Sequence, residues 1–393
     1  MNKRKPDPVA GIQPAVMRWA RESIGLSVLD VALRLKKSVG EIESWETGTG
    51  YPSYPQLEKL AYQIYKRPLA VFFLPAPPEE VNPEREFRTL PMDDLLALSV
   101  DTHLHIRHAH AFQLALRELF GNHNPNEHCI WQELEVSRAR SVTRQASAIR
   151  SHLGISLEGQ ILWKDSDHAL KQWRKAIEDK GVFVFKDSFK QKDISGFCLV
   201  DDQFPVVFLN NSTTKTRQIF SLLHELAHLL LKINGLSKFD QEYIGRLPEE
   251  EKQIERFCNS IAAEVLIPLS DFQEQVKEFP ADVKSAPEEQ FSELAGRYGV
   301  SREAVLRRFL DMGRVTSAFY EQKASEWASQ QKNGNGGNWY ATHNIYLSDR
   351  FAKEVVSRHY NNQLSLEQAA EMLGIKPKNF AGLEQRILQG ATA

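Results

Sequence analysis

The most constraining feature of the sequence is FSLLHELAHLLL at residues 220–231, which places three ionisable side chains in an apolar stretch. Apolar residues surround His224, Glu225 and His228 on nearly all sides, so a helix here must lie in a protein core. Burying an unpaired polar group costs about 2–7 kcal/mol. We therefore expect a partner that satisfies these side chains inside the core.

The spacing H-E-x-x-H predicts that this partner is a metal ion. Two histidines four residues apart on an α-helix differ by about 40° around its axis, so both imidazoles can reach one ion. Glu225 points in a neighbouring direction, from which its carboxylate can take a proton from water at the metal. We predict His224 and His228 as ligands and Glu225 as the general base.

A second long helix, predicted over about residues 248–267, offers the third protein ligand that a catalytic zinc usually has. Glu255 borders the apolar stripe of this helix, and Asn259 lies one turn further along the same edge. We predict that Glu255 is the third ligand and that Asn259 orients a ligating imidazole. Glu264 is the competing carboxylate, but it lies on another side of the helix, where solvation is expected.

The chain is expected to be mostly α-helical and multidomain. Three runs rich in Val and Phe, at 181–186, 195–201 and 204–210, predict short strands before the metal-binding helix. We expect an α+β domain at 77–328 with a small three-stranded sheet, whose catalytic core covers about residues 180–270.

Residues 8–76 have the pattern of a helix-turn-helix domain, with helices at 28–35 and 39–46 joined by a three-residue turn. The segment resembles the Xre-type repressor fold, notably in IESWETGTGYPSYPQLEKLA (42–61). The second helix of the pair carries three glutamates and no Arg, Lys, Asn or Gln, the residue types that contact phosphates and base edges. DNA binding and docking of a partner protein are therefore both expected roles.

A linker rich in Gly, Asn and Gln at 329–338 precedes a helical module at 339–393. Ser365 is expected to cap the helix LEQAAEMLG. The module contains no catalytic grouping, so we expect it to serve interaction or oligomerisation.

Composition limits the cellular setting. The three cysteines, Cys129, Cys198 and Cys258, lie far apart, which favours a reducing compartment over a disulfide framework. A formal charge of −2 gives no overall attraction to nucleic acid. No apolar run is long enough to span a bilayer, and the basic N-terminus lacks the apolar segment of a signal peptide. We expect a cytoplasmic protein with no membrane partner.

The stretch SGFCLVDDQFPVVFLNNSTTKTRQIFSLLHELAHLLL (195–231), followed by IERFCNSIAAEVLIP (254–268), resembles the ImmA/IrrE family of metallopeptidases. The segment FRTL (87–90) resembles the variant of this family with an N-terminal Xre-type domain. The resemblance implies a zincin-like fold and a gluzincin-like zinc site, in which the E-x-x-x-N element of the family maps onto Glu255 and Asn259. It also implies cleavage of a helix-turn-helix repressor, which switches on phage, mobile-element or stress-response genes.

The sequence leaves two functions open. One is a zinc-dependent, site-specific endopeptidase; the other is a transcription regulator, or an antitoxin-like component of a toxin–antitoxin pair, that uses the peptidase fold to bind a partner. Glu225 favours the first, because a binding scaffold has no need for a general base. Two histidines and a glutamate also accept Mn²⁺ or Fe²⁺ in place of Zn²⁺.

Three further expectations follow from the sequence. A substrate strand is expected to pair with an exposed edge of the sheet at 195–201. Tyr243 and His168 are candidates for the oxyanion donor. His105 and His108 are expected on a solvated helix face rather than in a second metal site.

Overall fold

The computed structural model describes residues 7–80, 83–238, 242–329 and 346–390. Contacts divide the chain into two units. The first comprises Met1–Phe87 and Pro91–His108, and the second comprises Arg88–Leu90 and Ala109–Ala393. The predicted linker from residue 330 onward, and residues 339–345 and 391–393 of the predicted C-terminal module, lie outside the described residues.

Helices make up most of the described chain, as the sequence predicts. The α-helices, numbered along the chain, are α1 Pro14–Glu22, α2 Val28–Leu35, α3 Val39–Thr47, α4 Tyr54–Glu58, α5 Pro83–Glu86, α6 Met92–Leu96, α7 Val100–Phe120, α8 Ile130–Glu133, α9 Val142–Leu153, α10 Leu157–Ile161, α11 Ser166–Glu178, α12 Lys215–Leu230, α13 Glu242–Arg246, α14 Glu249–Leu266, α15 Leu269–Gln275, α16 Glu288–Tyr298, α17 Arg302–Asp311, α18 Ser317–Ser329, α19 Asp349–Tyr360, α20 Leu366–Met372 and α21 Phe380–Gly390. A π-helix covers Lys59–Tyr65, and 3₁₀ helices cover Leu69–Phe73, Val283–Ser285 and Pro377–Asn379. None of the helices in the described ranges has the length and apolar character that a membrane crossing requires.

In the first unit, serine caps set the starts of α2 and α3. The side chain of Ser27 accepts a hydrogen bond from the backbone N–H of Asp30, and that of Ser38 accepts one from the N–H of Glu41. Arg21 donates to both carboxylate oxygens of Glu46, at 2.7 and 2.8 Å, inside the apolar core of this unit. Glu46 is therefore a structural residue of α3 and takes no part in its exposed surface.

Within the described residues, the sheet of the second unit has four strands rather than the three expected. They are β1 Phe183–Asp187, β2 Ile194–Leu199, β3 Val206–Asn210 and β4 Leu236–Lys238, in the order β1-β3-β2-β4. β1 is parallel to β3, whereas β2 is antiparallel to both β3 and β4. The first three strands confirm the predicted runs. The three-residue β4 is too short to give an alternating pattern.

The helix α12 lies at the centre of the second unit, which explains why its sequence is apolar on nearly all sides. It packs on β2 and β3 with one side and on α14 and α11 with others. The side chain of Thr214 accepts a hydrogen bond from the backbone N–H of Arg217 and so caps its start. α14 begins after Pro248 and ends before Pro268, as predicted. Packing of α12 against α14 brings the motif face to face with Glu255.

Helix α19 packs on the sheet side of the second unit. The ring of Phe351 lies 5.4 Å from that of Phe112 and 5.6 Å from that of Phe185 in edge-on contacts. This contact anchors the C-terminal helices to β1 and α7.

Candidate metal centre

The structure brings together three of the predicted residues, two from α12 and one from α14. The Nε2 atoms of His224 and His228 lie 3.1 Å apart. The two carboxylate oxygens of Glu255 lie 3.3 Å from His224 Nε2 and 3.2 Å from His228 Nε2. These are the only His, Cys, Asp or Glu residues in the described ranges whose ligand atoms converge in a group of three or more.

The group fits a divalent metal by both spacing and burial. Bonds of about 2.0–2.1 Å with tetrahedral angles place two ligand atoms about 3.3 Å apart, which is close to all three separations. Glu255 and His228 are fully buried, and His224 is 3% exposed. Glu255 Oε1 makes no hydrogen bond within the described chain, so a buried lone pair faces the histidines. A cation would satisfy it.

The charges of the group are mutually stabilising. Burial opposes ionisation of Glu255, but His228 and His224 outweigh it and hold its pKa below the usual range. Burial likewise opposes protonation of His228, while Cys258 and Glu255 raise its pKa well above the usual value. The site therefore attracts positive charge, either as protons or as a metal ion.

Glu225 lies beside this group and is held by the strand that the sequence did not predict. Its carboxylate is fully buried, and its Oε1 accepts a hydrogen bond of 2.6 Å from the hydroxyl of Ser237 in β4. Its Oε2 makes no hydrogen bond within the described residues. Ser237 thus fixes one oxygen of Glu225 and leaves the other available. No local sequence signal marks Ser237, because its role depends on the pairing of β4 with β2.

The backbone at Gly235, just before β4, passes very close to the H-E-x-x-H motif. A Cβ atom at Gly235 would lie 2.6 Å from the His228 ring and 2.9 Å from Glu225 Oε2. Only glycine allows this approach without displacement of the site.

Tyr243 in α13 completes the surroundings of Glu255. Its hydroxyl donates a 2.8 Å hydrogen bond to Glu255 Oε2, and burial together with Glu255 raises the pKa of Tyr243 well above the usual value. Tyr243, a predicted candidate for the oxyanion donor, therefore donates its hydroxyl hydrogen bond to Glu255 in this structure. The other candidate, His168 in α11, is exposed and lies 3.2 Å from the amide of Gln172.

The other two α14 residues considered from the sequence, Asn259 and Glu264, are not part of this group. Asn259 makes no hydrogen bond to either imidazole within the described chain; it lines the cleft beside His224. The expectation that Glu264 is solvated is wrong. Glu264 is 4% exposed, and it pairs with Arg308 at 2.6 Å and accepts a hydrogen bond from the backbone N–H of Leu269.

A small cleft opens beside His224. It is lined by Ser195, Arg217, Phe220, Ser221, His224, Ser237, Lys238, Tyr243 and Asn259. The side chains are mostly polar, and the amine of Lys238 at this mouth pairs with the carboxylate of Asp193 at 3.0 Å. A reactant would therefore approach the group from the His224 side.

The expected docking of a substrate on the strand at 195–201 is wrong. In the structure this segment is β2, which pairs with β3 on one side and with β4 on the other. β4 occupies the edge of the sheet at the cleft, through Ser237 and Lys238. Because β4 is so short, the sequence does not indicate that it forms this edge of the sheet.

The histidine-rich segment of α7 is not a uniformly solvated face. His108 is exposed, but His105 is 6% exposed and its Nε2 lies 3.3 Å from the carboxylate of Asp101. The expectation of a solvated face is therefore wrong for His105.

An H-E-x-x-H helix with a buried glutamate from a neighbouring helix is the arrangement of a metallopeptidase-like hydrolase. Residues 177–310 match the family model of Peptidase_M78, described as the IrrE N-terminal-like domain. The match covers about a third of the chain and includes all three residues of the group. It supports the ImmA/IrrE family for this region and a peptidase-related role. A search of curated proteins found no match to the chain.

Proposed function

We propose that this chain is a metal-dependent endopeptidase that cleaves a helix-turn-helix transcriptional repressor and thereby derepresses mobile-element or stress genes. The observation that carries the proposal is the buried group of His224, His228 and Glu255 with Glu225 beside it. The family match at residues 177–310 supports a peptidase, and the resemblance to the ImmA/IrrE family supports a repressor as the substrate.

Four side chains divide the chemistry. His224, His228 and Glu255 would hold the metal, with zinc favoured and Mn²⁺ or Fe²⁺ accepted by the same donors. When bound, the metal supplies a Lewis acid that polarises a carbonyl and lowers the pKa of water. Glu225 takes up a proton from the attacking water at Oε2, the oxygen that Ser237 leaves available, and delivers it to the amine nitrogen that leaves when the peptide C–N bond breaks.

The substrate would bind in an extended conformation along β4. Among the described residues β4 is an edge strand of the sheet, and a sheet edge can add a peptide strand through backbone hydrogen bonds. Ser237 and Lys238 connect this edge to the cleft at His224, so a peptide on β4 would reach the metal group.

In this proposal residues 8–76 dock the repressor. The exposed side chains of α3 are those of Val39, Glu43 and Thr47, which carry no positive charge, and Glu46 is occupied by Arg21. Phosphate contacts need cations, so this surface suits a protein better than DNA. Sequence-preferring binding of duplex DNA by residues 8–76 at physiological salt would refute this part.

The test is co-expression with a helix-turn-helix repressor encoded beside the gene. We expect the wild type to cleave the repressor and Glu225→Gln to leave it intact while it retains the same metal content. Glu250→Gln, on the exposed first turn of α14, is the matched control and should cleave normally. Cleavage by Glu225→Gln would exclude Glu225 as the base, and failure of the wild type to cleave would refute the peptidase proposal.

A further inference from the structure

The C-terminal helices contain a second pair of short helices joined by a tight turn. The side chain of Ser365 caps α20 in a reciprocal capping box with Gln368. Gly374 ends the helix with φ of 67°, which glycine adopts without strain. A 3₁₀ turn at Pro377–Asn379 then continues into α21. Four residues, 373–376, separate the two helical segments, which is the spacing of a helix-turn-helix.

The buried residues hold the two helices in that arrangement. α19 packs against both α20 and α21, so the three helices share one small core. Six side chains of the pair point into it, each at most 3% exposed: Ala369, Ala370, Leu373, Phe380, Leu383 and Ile387. α20 and α21 each contact the 3₁₀ turn between them, and the apolar spacing on α21 is that of a helix with one buried face.

The exposed face of α21 carries Ala381, Gln385 and Leu388, and the turn before the helix is basic. Lys376, Lys378 and Gln385 are exposed, and Arg386 is partly exposed. None of these three cations has an ion-pair partner among the described residues. The nearby Glu384 accepts a hydrogen bond from Tyr360, so it is directed toward α19. Cations at the start of a helix oppose its dipole, and helix stability therefore does not explain the two lysines.

The two helix pairs of this chain differ in what they expose. α3 in the first unit presents Val39, Glu43 and Thr47 without a cation, and the exposed Lys36 lies in the turn before it. The segment from Lys376 to Arg386 presents three cations and an exposed glutamine. Lysine and arginine neutralise phosphates, and glutamine reads adenine in the major groove.

We propose that α20 and α21 form a DNA-binding helix-turn-helix, with α21 in the major groove of duplex DNA. Lys376 and Lys378 contact phosphates, and Gln385 faces base edges. This function is independent of peptidase activity, and it places DNA contact in the C-terminal helices rather than in residues 8–76.

The experiment measures fluorescence anisotropy of a labelled 30-base-pair duplex of mixed sequence with the full-length protein, between about 50 and 200 mM salt. We expect the double variant Lys376→Glu/Lys378→Glu to bind at least tenfold more weakly than the wild type. Lys376→Ala/Lys378→Ala should reduce the slope of log K against log salt by about 1.8, or about 0.9 per lost phosphate contact.

The matched control is Lys164→Glu/Lys171→Glu, which makes the same change of charge at two exposed lysines outside these helices. We expect it to bind within twofold of the wild type, and thermal unfolding should be unchanged in both double variants because all four side chains are exposed. The proposal is overturned if the wild type does not bind at 50 mM salt. It is also overturned if the control loses as much affinity as the Lys376→Glu/Lys378→Glu protein.

Discussion

Two buried glutamates on the same helix, Glu255 and Glu264, allow a sharp test of which carboxylate binds the metal. Glu255 is fully buried and lies 3.2–3.3 Å from the two imidazoles. Glu264 lies nine positions further along α14 and pairs with Arg308. Glutamine has nearly the same shape as glutamate at both positions, but one substitution should reduce metal affinity and the other should reduce stability.

For Glu255→Gln we expect a loss of metal affinity. Changes in residues that only orient a ligand typically cost about 10–100-fold. Loss of a charged ligand should therefore cost at least about 100-fold, or about 2.8 kcal/mol. The assay is titration of the metal-free protein with Zn²⁺ in competition with a chromogenic chelator.

For Glu264→Gln we expect normal zinc affinity but lower stability. Its pair with Arg308 has side chains only 5% and 7% exposed, and breaking a buried ion pair costs about 3–5 kcal/mol. Urea unfolding in the presence of a chelator measures this difference. Normal zinc affinity in Glu255→Gln, or loss of zinc in Glu264→Gln, would refute the assignment of the third ligand.

Three further predictions concern Tyr243, Lys186 and Glu46. Tyr243→Phe removes the hydrogen bond to Glu255 and should weaken zinc binding by about 10–100-fold in the same competition assay. Unchanged affinity would show that Tyr243 does not orient the ligand. Burial lowers the pKa of Lys186 to about 6. Between pH 6 and 10.5 the unfolded chain therefore binds one more proton than the folded chain at this lysine. Lys186 lowers the stability of the fold in this range, and the loss shrinks as pH rises. Lys186→Met should therefore be more stable than the wild type at pH 7, with a gain that shrinks toward pH 10 in urea unfolding; a gain independent of pH would contradict the shift. Glu46→Gln breaks the buried pair with Arg21 and should destabilise the first unit by about 3–5 kcal/mol, seen as faster proteolysis within residues 7–80, and equal rates would refute it.

The sequence predicted those parts of the site that depend on one helix at a time. His224, Glu225 and His228 lie four residues or fewer apart, so helical periodicity alone places them together. Glu255 followed from its position at the edge of an apolar stripe, which faces the core wherever the helix packs.

The parts that depend on tertiary contacts were missed. Ser237 reaches Glu225 only because a three-residue strand pairs with β2, and such a strand has no pattern of its own. Glu264 is buried because Arg308, which lies 44 positions away, neutralises it. In both cases the deciding partner is distant in sequence, and hydrophobic periodicity carries no information about it.

The central claim is that one metal ion is held by two imidazoles and one carboxylate in the core. X-ray absorption spectroscopy of the zinc-loaded full-length protein tests it most directly. We expect nitrogen and oxygen ligands only, at about 2.0–2.2 Å, with the multiple scattering of two imidazoles. A shell of sulfur at about 2.3 Å, from Cys258 or Cys198 beside the motif, would contradict this ligand set.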